Sequence, residues 1–232
     1  MLVAAAAAAL IPAARTAALQ PGPMTSGRAW IAHLVAPVEA RSSPGGRPVA
    51  RVGALGQWNG GPVGLLVLAT RTSPRGGLWF RVRLPERPNG ASAWIPARVT
   101  RPTSTPWRIV VSLSRRSVEL DHAGRSVHVY RAVVGKPATP TPTGVFAVSE
   151  RVRQPDPHGF YGPWALLLTA YSSTLQHFDG GPGQISIHGR DGASLRDPLG
   201  TARSHGCVRI ENAAVERLAR VAVEGTPVII TP

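Results

Sequence analysis

From residue 78 to residue 84 the chain alternates, with Trp79, Arg81 and Arg83 opposing Phe80, Val82 and Leu84. A period of two sends the two sets to opposite faces of a strand, one to be buried and one to be wetted. Similar short runs at 47–52, 64–70 and 92–95 are separated by Gly and Pro. Several short strands at this spacing predict a small barrel or sandwich over residues 28–100. The stretch Arg101-Pro102-Thr103-Ser104-Thr105-Pro106 reads as a short, semi-stiff linker. Beyond it, strands are predicted at 109–113, 118–120, 145–149, 165–170, 184–188 and 228–231. Asp121-His122-Ala123-Gly124 reads as a turn into a strand over 125–134. Three prolines between 137 and 143 confine that segment to a loop or an edge.

The period changes to that of a helix over 213–223, where Val215, Leu218, Ala219 and Ala222 form one apolar face. Asn212 is a suitable N-cap and Gly225 a suitable stop. The fold class expected is therefore mostly β: a sandwich or barrel-like C-terminal domain with one main helix over 107–232, behind a small β domain.

The 232 residues suffice for a sizeable core, and 43% apolar content is that of a globular protein. Residues 2–14 form an alanine-rich apolar run of signal-peptide length, too short to span a bilayer comfortably. Only Met1 precedes it, so the positive residues of a signal are missing; either the start lies upstream or the signal is degenerate. Residues 1–27 are accordingly read as a leader, and the expected location is extracytoplasmic.

The net charge is +14 from 26 Lys and Arg, of which Lys136 is the one lysine. That balance suits anionic partners such as cell-wall polymers. The arginines are scattered rather than run together, and no zinc-finger or phosphate-loop spacing accompanies them, so nucleic acid is not expected.

Cys207 is the sole cysteine, which excludes an internal disulfide framework. A lone cysteine is usually a small buried hydrophobe. This one sits in Ser204-His205-Gly206-Cys207-Val208-Arg209-Ile210-Glu211-Asn212, behind Ile187-His188-Gly189, among polar and loop-forming neighbours. A thiol reacts as its thiolate, and a histidine delivered by an upstream strand supplies the base for a Cys–His nucleophile pair. Gly189 and Gly206 beside the reactive groups permit close backbone approach.

These residues carry a family resemblance. His-Gly, a loop, then Ser-His-Gly-Cys-x-Arg-x-x-Asn is similar to the L,D-transpeptidase (YkuD-type) catalytic domain. So are Val134-Gly135-Lys136-Pro137 through Thr141-Pro142-Thr143-Gly144-Val145-Phe146, and the closing Gly225-Thr226-Pro227-Val228-Ile229-Ile230. Less specifically, Leu84-Pro85 through Arg87-Pro88-Asn89-Gly90 and Ala93-Trp94-Ile95-Pro96 resemble the end of a bacterial SH3-like domain. Of its aromatics, Trp58, Trp79 and Trp94 are read mainly as core packing, with a wall-binding groove as the alternative.

The resemblance implies Cys207 as nucleophile, His188 as general base and the Gly189 carbonyl as the group that orients the imidazole. Asp191 remains the acidic alternative for that last role. Backbone N–H groups of His205, Gly206 and Cys207 are implied as oxyanion donors. Ser204 either bonds locally or touches substrate. Arg209 either meets a substrate carboxylate bidentately or braces the loop through an ion pair. Asn212 either contacts substrate or merely caps the helix. Tyr161 is a candidate substrate contact from the 154–164 loop, which the resemblance places over the site as a lid. Arg190 stands where the family commonly has a small hydroxyl residue, which bears on donor-peptide preference.

The activity implied is 3→3 cross-linking of peptidoglycan stem peptides through a Cys thioester, by a monomer needing no metal or cofactor and inhibited by carbapenem-type β-lactams. Two alternatives stay open: L,D-carboxypeptidase hydrolysis of the same stems, and a non-catalytic wall-binding protein. A Cys–His peptidase of the NlpC type ranks lower, because it places Cys before His.

Overall fold

The computed structural model describes residues 20–232. Of the leader expected over 1–27, residues 1–19 lie outside the described residues. The N-terminal part is one antiparallel sheet of seven strands. These are β1 (Ala29–Leu34), β2 (Val38–Arg41), β3 (Pro48–Val52), β4 (Gly64–Thr72), β5 (Leu78–Arg83), β6 (Ser92–Pro96) and β7 (Thr100–Thr105). Their order is β3-β2-β6-β5-β4-β1-β7.

Alternation works as expected on β5, where Phe80 and Val82 join Leu65, Val67 and Ile95 in the core. Trp79 and Trp94 have the opposite parity and face outward, with the Arg71 guanidinium 5.3 Å from the Trp94 ring centre. Trp58 is 51% exposed. None of the three packs the core, which corrects the reading of them as mainly core residues.

The segment read as a linker is also corrected. Residues 100–105 form β7, paired along its length with β1 from Thr100↔Leu34 to Thr105↔Ala29. The sheet ends at β7, so Pro102 lacks an N–H where the strand has a free side, and the threonines suit a pleated surface.

The remaining elements are β8 (Trp107–Ser112), β9 (Ser117–His122), β10 (Arg125–Arg131), β11 (Val134–Gly135), β12 (Gly144–Arg153), β13 (Trp164–Tyr171), β14 (Gln184–His188), β15 (Ala202–Ser204), β16 (Val208–Arg209), α1 (Asn212–Val221) and β17 (Pro227–Thr231). Eight of these strands form a mixed sheet in the order β10-β9-β8-β17-β12-β13-β14-β16. Two of its pairs are parallel, β17 with β8 and β14 with β16. The described residues are thus mostly β with one α-helix, as expected. Helix α1 lays Ala214, Val215, Leu218 and Ala219 into the core that Phe146, Leu166, Ile185 and Ile187 build from the sheet.

The helix starts one residue earlier than expected. Glu211 is the N-cap, with no side-chain cap bond, and its carbonyl accepts from the N–H groups of Ala214 and Val215 at 3.0 Å each. Asn212 is the first helical residue, so the capping role assigned to it is wrong. At Gly225, φ is +89°, and a Cβ would lie 2.5 Å from the Ile31 side chain. The glycine therefore serves the turn and the approach of the first sheet together.

Candidate active site

On β14 the alternate residues Ile185 and Ile187 enter the core, which sends Gln184, Ser186 and His188 to the opposite face. Strand β16 runs parallel beside it in the register Ile187↔Val208 and His188↔Arg209. Val208 is buried in the same core, so Cys207 and Arg209 share the face of Ser186 and His188. Residues distant in sequence are brought to one face because two adjacent parallel strands have the same parity.

Cys207 is partly exposed, and its Sγ lies 3.4 Å from Ser186 Oγ, which donates to it. With Tyr161, Phe178, Gln184 and Trp58 it borders a cavity of about 220 Å³. His188 is wholly buried. Its Nδ1 lies 2.6 Å from the Gly189 carbonyl oxygen, which selects the tautomer with the proton on Nδ1 and a free lone pair on Nε2. Among the described residues Nε2 has no hydrogen-bond partner. The Tyr161 ring lies over the imidazole edge-on at 4.9 Å, with the Phe160 ring 6.0 Å away.

Burial, and then the Arg209 charge, push the His188 pKa down to about 4 against the opposing carbonyls of Gly189 and Tyr161. At neutral pH the ring is therefore an uncharged base. Asp191 is not its partner: Oδ1 caps the N–H of Gly192 at 2.7 Å, and Oδ2 lies 3.3 Å from His158 Nδ1.

The cysteine loop is held by side chains closing on its backbone. Ser204 Oγ donates to the Cys207 carbonyl at 2.5 Å and accepts from the Gly206 N–H at 3.1 Å. Ser204 is fully buried, so it fastens the loop and does not face the cavity. Thr141 Oγ1 donates to the Gly206 carbonyl at 2.7 Å and accepts from Gly135 N–H at 2.9 Å, while Thr139 Oγ1 donates to the Ser204 carbonyl at 3.2 Å. This is the physical role of the Pro-Thr-Pro-Thr-Gly element: it clamps the turn that carries the thiol.

Gly206 has φ +118°, and a Cβ there would lie 2.9 Å from Ile185 Cδ1. Its N–H is already taken by Ser204, which removes it from the expected oxyanion donors. For the N–H groups of His205 and Cys207 no partner occurs among the described residues. The His205 ring stacks on Phe178 at 5.4 Å and lies 3.3 Å from Lys136 Nζ. Partial burial, then the Lys136 charge, lower its pKa.

Arg209 takes the internal of its two expected roles. It is 4% exposed, NH1 lies 2.7 Å from Asp197 Oδ2, and its guanidinium sits 4.8 Å from the Phe160 ring centre. NH1 is thus engaged internally, while Nε has no hydrogen-bond partner among the described residues. Asn212 Oδ1 accepts from Arg190 N–H at 2.8 Å and closes against Gly162 and Gly189, neither of which has room there for a Cβ. It ties the Tyr161 loop to the turn after His188 and does not reach the cavity. Tyr161 does border it; its hydroxyl donates to Asp179 Oδ2 at 2.6 Å, and burial followed by Asp179 raises its pKa strongly.

Four functional positions escape the sequence reading. Ser186 was legible, two residues before His188 in a strand already predicted. Asp179, Asp197 and Phe160 lie in loops, where nothing in the pattern says what they meet.

A thiol and a neutral imidazole presented on one sheet face, beside an open cavity, define a cysteine–histidine site on a mostly β scaffold. Residues 106–230 match the model of the L,D-transpeptidase catalytic domain (YkuD), and the chain belongs to that family. It is 38% identical to YkuD of Bacillus licheniformis over 143 residues, 62% of this chain and 76% of that protein. The corresponding figures for YkuD of Bacillus subtilis are 33% identity over 141 residues, 61% and 75%. Among solved structures, an L,D-transpeptidase of Mycobacterium tuberculosis is similar at 18% identity and TM-score 0.46, covering 73% of this chain and 90% of that one. An Enterococcus faecium L,D-transpeptidase C442S mutant is similar at 23% identity and TM-score 0.41, covering 54% of this chain and about half (49%) of that one.

Proposed function

We propose that the chain is a peptidoglycan L,D-transpeptidase that joins stem peptides by 3→3 cross-links through a Cys207 thioester. The observation that carries this reading is the placement of a cavity-facing thiol on the same face as an uncharged imidazole whose Nδ1 is held by the Gly189 carbonyl. His188 Nε2, the nitrogen left without a partner, accepts the thiol proton as Sγ bonds to the donor carbonyl carbon. In the structure Sγ accepts a hydrogen bond from Ser186 Oγ instead. Catalytic hydrogen bonds are commonly completed only when substrate is in place.

The negative charge on the tetrahedral oxygen falls to the N–H groups of His205 and Cys207. Collapse breaks the C–N bond, and the terminal D-alanine leaves as an amine after taking the proton from His188. The side-chain amine of a second stem then attacks the thioester carbonyl. It loses its proton to His188, and the thiolate is expelled and reprotonated. The carboxyl group of a tetrapeptide third residue ends as an amide, with no net oxidation or reduction.

Extracytoplasmic location and adhesion to anionic wall polymer belong to the same proposal. The arginine-rich outer face of the N-terminal sheet, with Arg71 over Trp94, supports polymer adhesion.

The test is product analysis with a tetrapeptide stem ending in D-alanine, with and without an acceptor amine. Released D-alanine together with a cross-linked dimer is expected. Release of D-alanine without dimer at any acceptor concentration would assign hydrolysis instead. No release by reduced, folded protein would overturn the enzymatic reading.

A further inference from the structure

The cavity that holds Cys207 is bordered by one residue from the N-terminal sheet region, Trp58. Trp58 lies in the turn between β3 and β4, closed by the bridge Leu55↔Pro62 and by Gly56 N–H donating to the Gly61 carbonyl at 2.8 Å. Three consecutive N–H groups at its tip, those of Gln57, Trp58 and Asn59, donate to the carboxylate of Glu150 on β12 at 3.0, 2.8 and 3.0 Å. Asn59 Nδ2 also donates to Glu224 Oε1 at 3.1 Å, and Glu224 is paired with Arg151 at 3.1 Å. Gly56 lets the turn come this close, since a Cβ there would lie 2.5 Å from Glu150 Oε2.

Charge-assisted bonds to backbone N–H groups are among the stronger hydrogen bonds, and three converge on one carboxylate here. They fix the turn on the second sheet, yet the indole they carry is left 51% exposed at the rim of the thiol cavity. A large aromatic carried on a fixed turn at the mouth of a cavity is suited to anchoring a peptide.

Trp58 and Gln184 also line a second cavity of about 260 Å³, between the two sheets, whose walls include Glu86 and Tyr171. The thiol cavity at about 220 Å³ is smaller than the roughly 300–1,000 Å³ usual for a drug-sized ligand. The two together fall inside that range.

We propose that Trp58 is a substrate-contact residue supplied by the N-terminal region. Its ring stacks on the peptide substrate where the thiol cavity opens toward the chamber between the sheets. The ligand class is an extended peptide long enough to pass the indole, in contrast to a small acylating agent that needs only the space at Cys207. This rests on the proposed transpeptidase reading, and the test separates the two.

Carbapenem acylation of Cys207 would be timed by mass spectrometry in wild type, Trp58→Ala and Trp58→Phe. KM for the stem tetrapeptide would be measured in the same proteins. The expected result is a KM raised at least fivefold by Trp58→Ala and partly restored by Trp58→Phe, with carbapenem acylation changed less than twofold. Unchanged KM would overturn the inference, as would an equal fall in both activities, because Trp58 would then act only through the shape of the cysteine site. Calorimetric titration of the tetrapeptide into Cys207→Ala and Cys207→Ala/Trp58→Ala reads the same contact without turnover. At least fivefold weaker binding by the double variant is expected, and equal affinity would contradict it. Failure of wild type to be acylated at all would count against the transpeptidase reading, whereas acylated wild type with an indifferent Trp58 would count against this inference alone.

Discussion

The two halves of the candidate site are built in different ways. His188 stands on β14, inside a ladder that pairs it with Ala165 on one side and Arg209 on the other, and it is wholly buried. Cys207 stands on a turn that has no ladder of its own and is held by the hydroxyls of Thr139, Thr141 and Ser204. The proposed base is positioned by the sheet and the proposed nucleophile by a clamp of side-chain hydrogen bonds. Changes on the histidine side should therefore act on chemistry, and changes on the cysteine side on the stability and shape of the loop first.

The largest effect expected is from His188→Ala, which removes the base while Val208 and Ile187 keep the ladder intact. Carbapenem acylation should slow by roughly 100- to 10,000-fold, the usual contribution of a positioned general base. A fall of less than about tenfold would show that the two halves do not work as a pair.

The low pKa of His188, about 4, makes the histidine side visible in pH profiles. Its free lone pair should persist well below the usual histidine range, so the acid limb of the acylation rate is expected near pH 4 rather than near 6.5. Stability follows the same group with a definite sign. Between pH 6.5 and 4 the unfolded chain binds a proton that the folded one refuses. Its contribution is thus fully present above about pH 6.5 and is lost as pH falls toward 4. The loss is of order 3 kcal/mol at most, and chemical denaturation across that window in wild type and His188→Ala would isolate it.

On the cysteine side, Thr141→Val keeps the shape and deletes the hydroxyl that serves both Gly135 N–H and the Gly206 carbonyl. Stranding two buried backbone groups should cost about 2–4 kcal/mol in urea unfolding. Acylation of the still-folded fraction should slow less than in His188→Ala. Asp197→Ala leaves Arg209 buried without its carboxylate. About 2–3 kcal/mol is expected, below the roughly 3–5 for a fully buried pair because Asp197 is 26% exposed in its side chain.

The same division explains what the sequence made legible. Alternation predicted β14 to the residue, and with it the parity that places His188 opposite the core. The Pro-Thr-Gly element and the His-Gly-Cys turn were visible as motifs, but their mutual clamping was not, because it runs through hydroxyl-to-carbonyl bonds between positions 65 residues apart. Ser204, Arg209 and Asn212 were each open to a substrate role and each proved to be engaged internally. A buried hydroxyl, guanidinium or amide needs partners, and local sequence does not reveal whether those partners are protein or ligand. The 101–106 stretch misled for a different reason. Proline and serine suggest a linker, whereas an edge strand tolerates both on its unpaired side.

Intact-mass spectrometry of reduced protein after incubation with a carbapenem asks directly whether Cys207 is an acylating nucleophile. One added carbapenem mass is expected on the wild-type chain and none on Cys207→Ala. Folded, reduced wild type that gains no mass, or a Cys207→Ala variant that gains the same mass, would contradict that role.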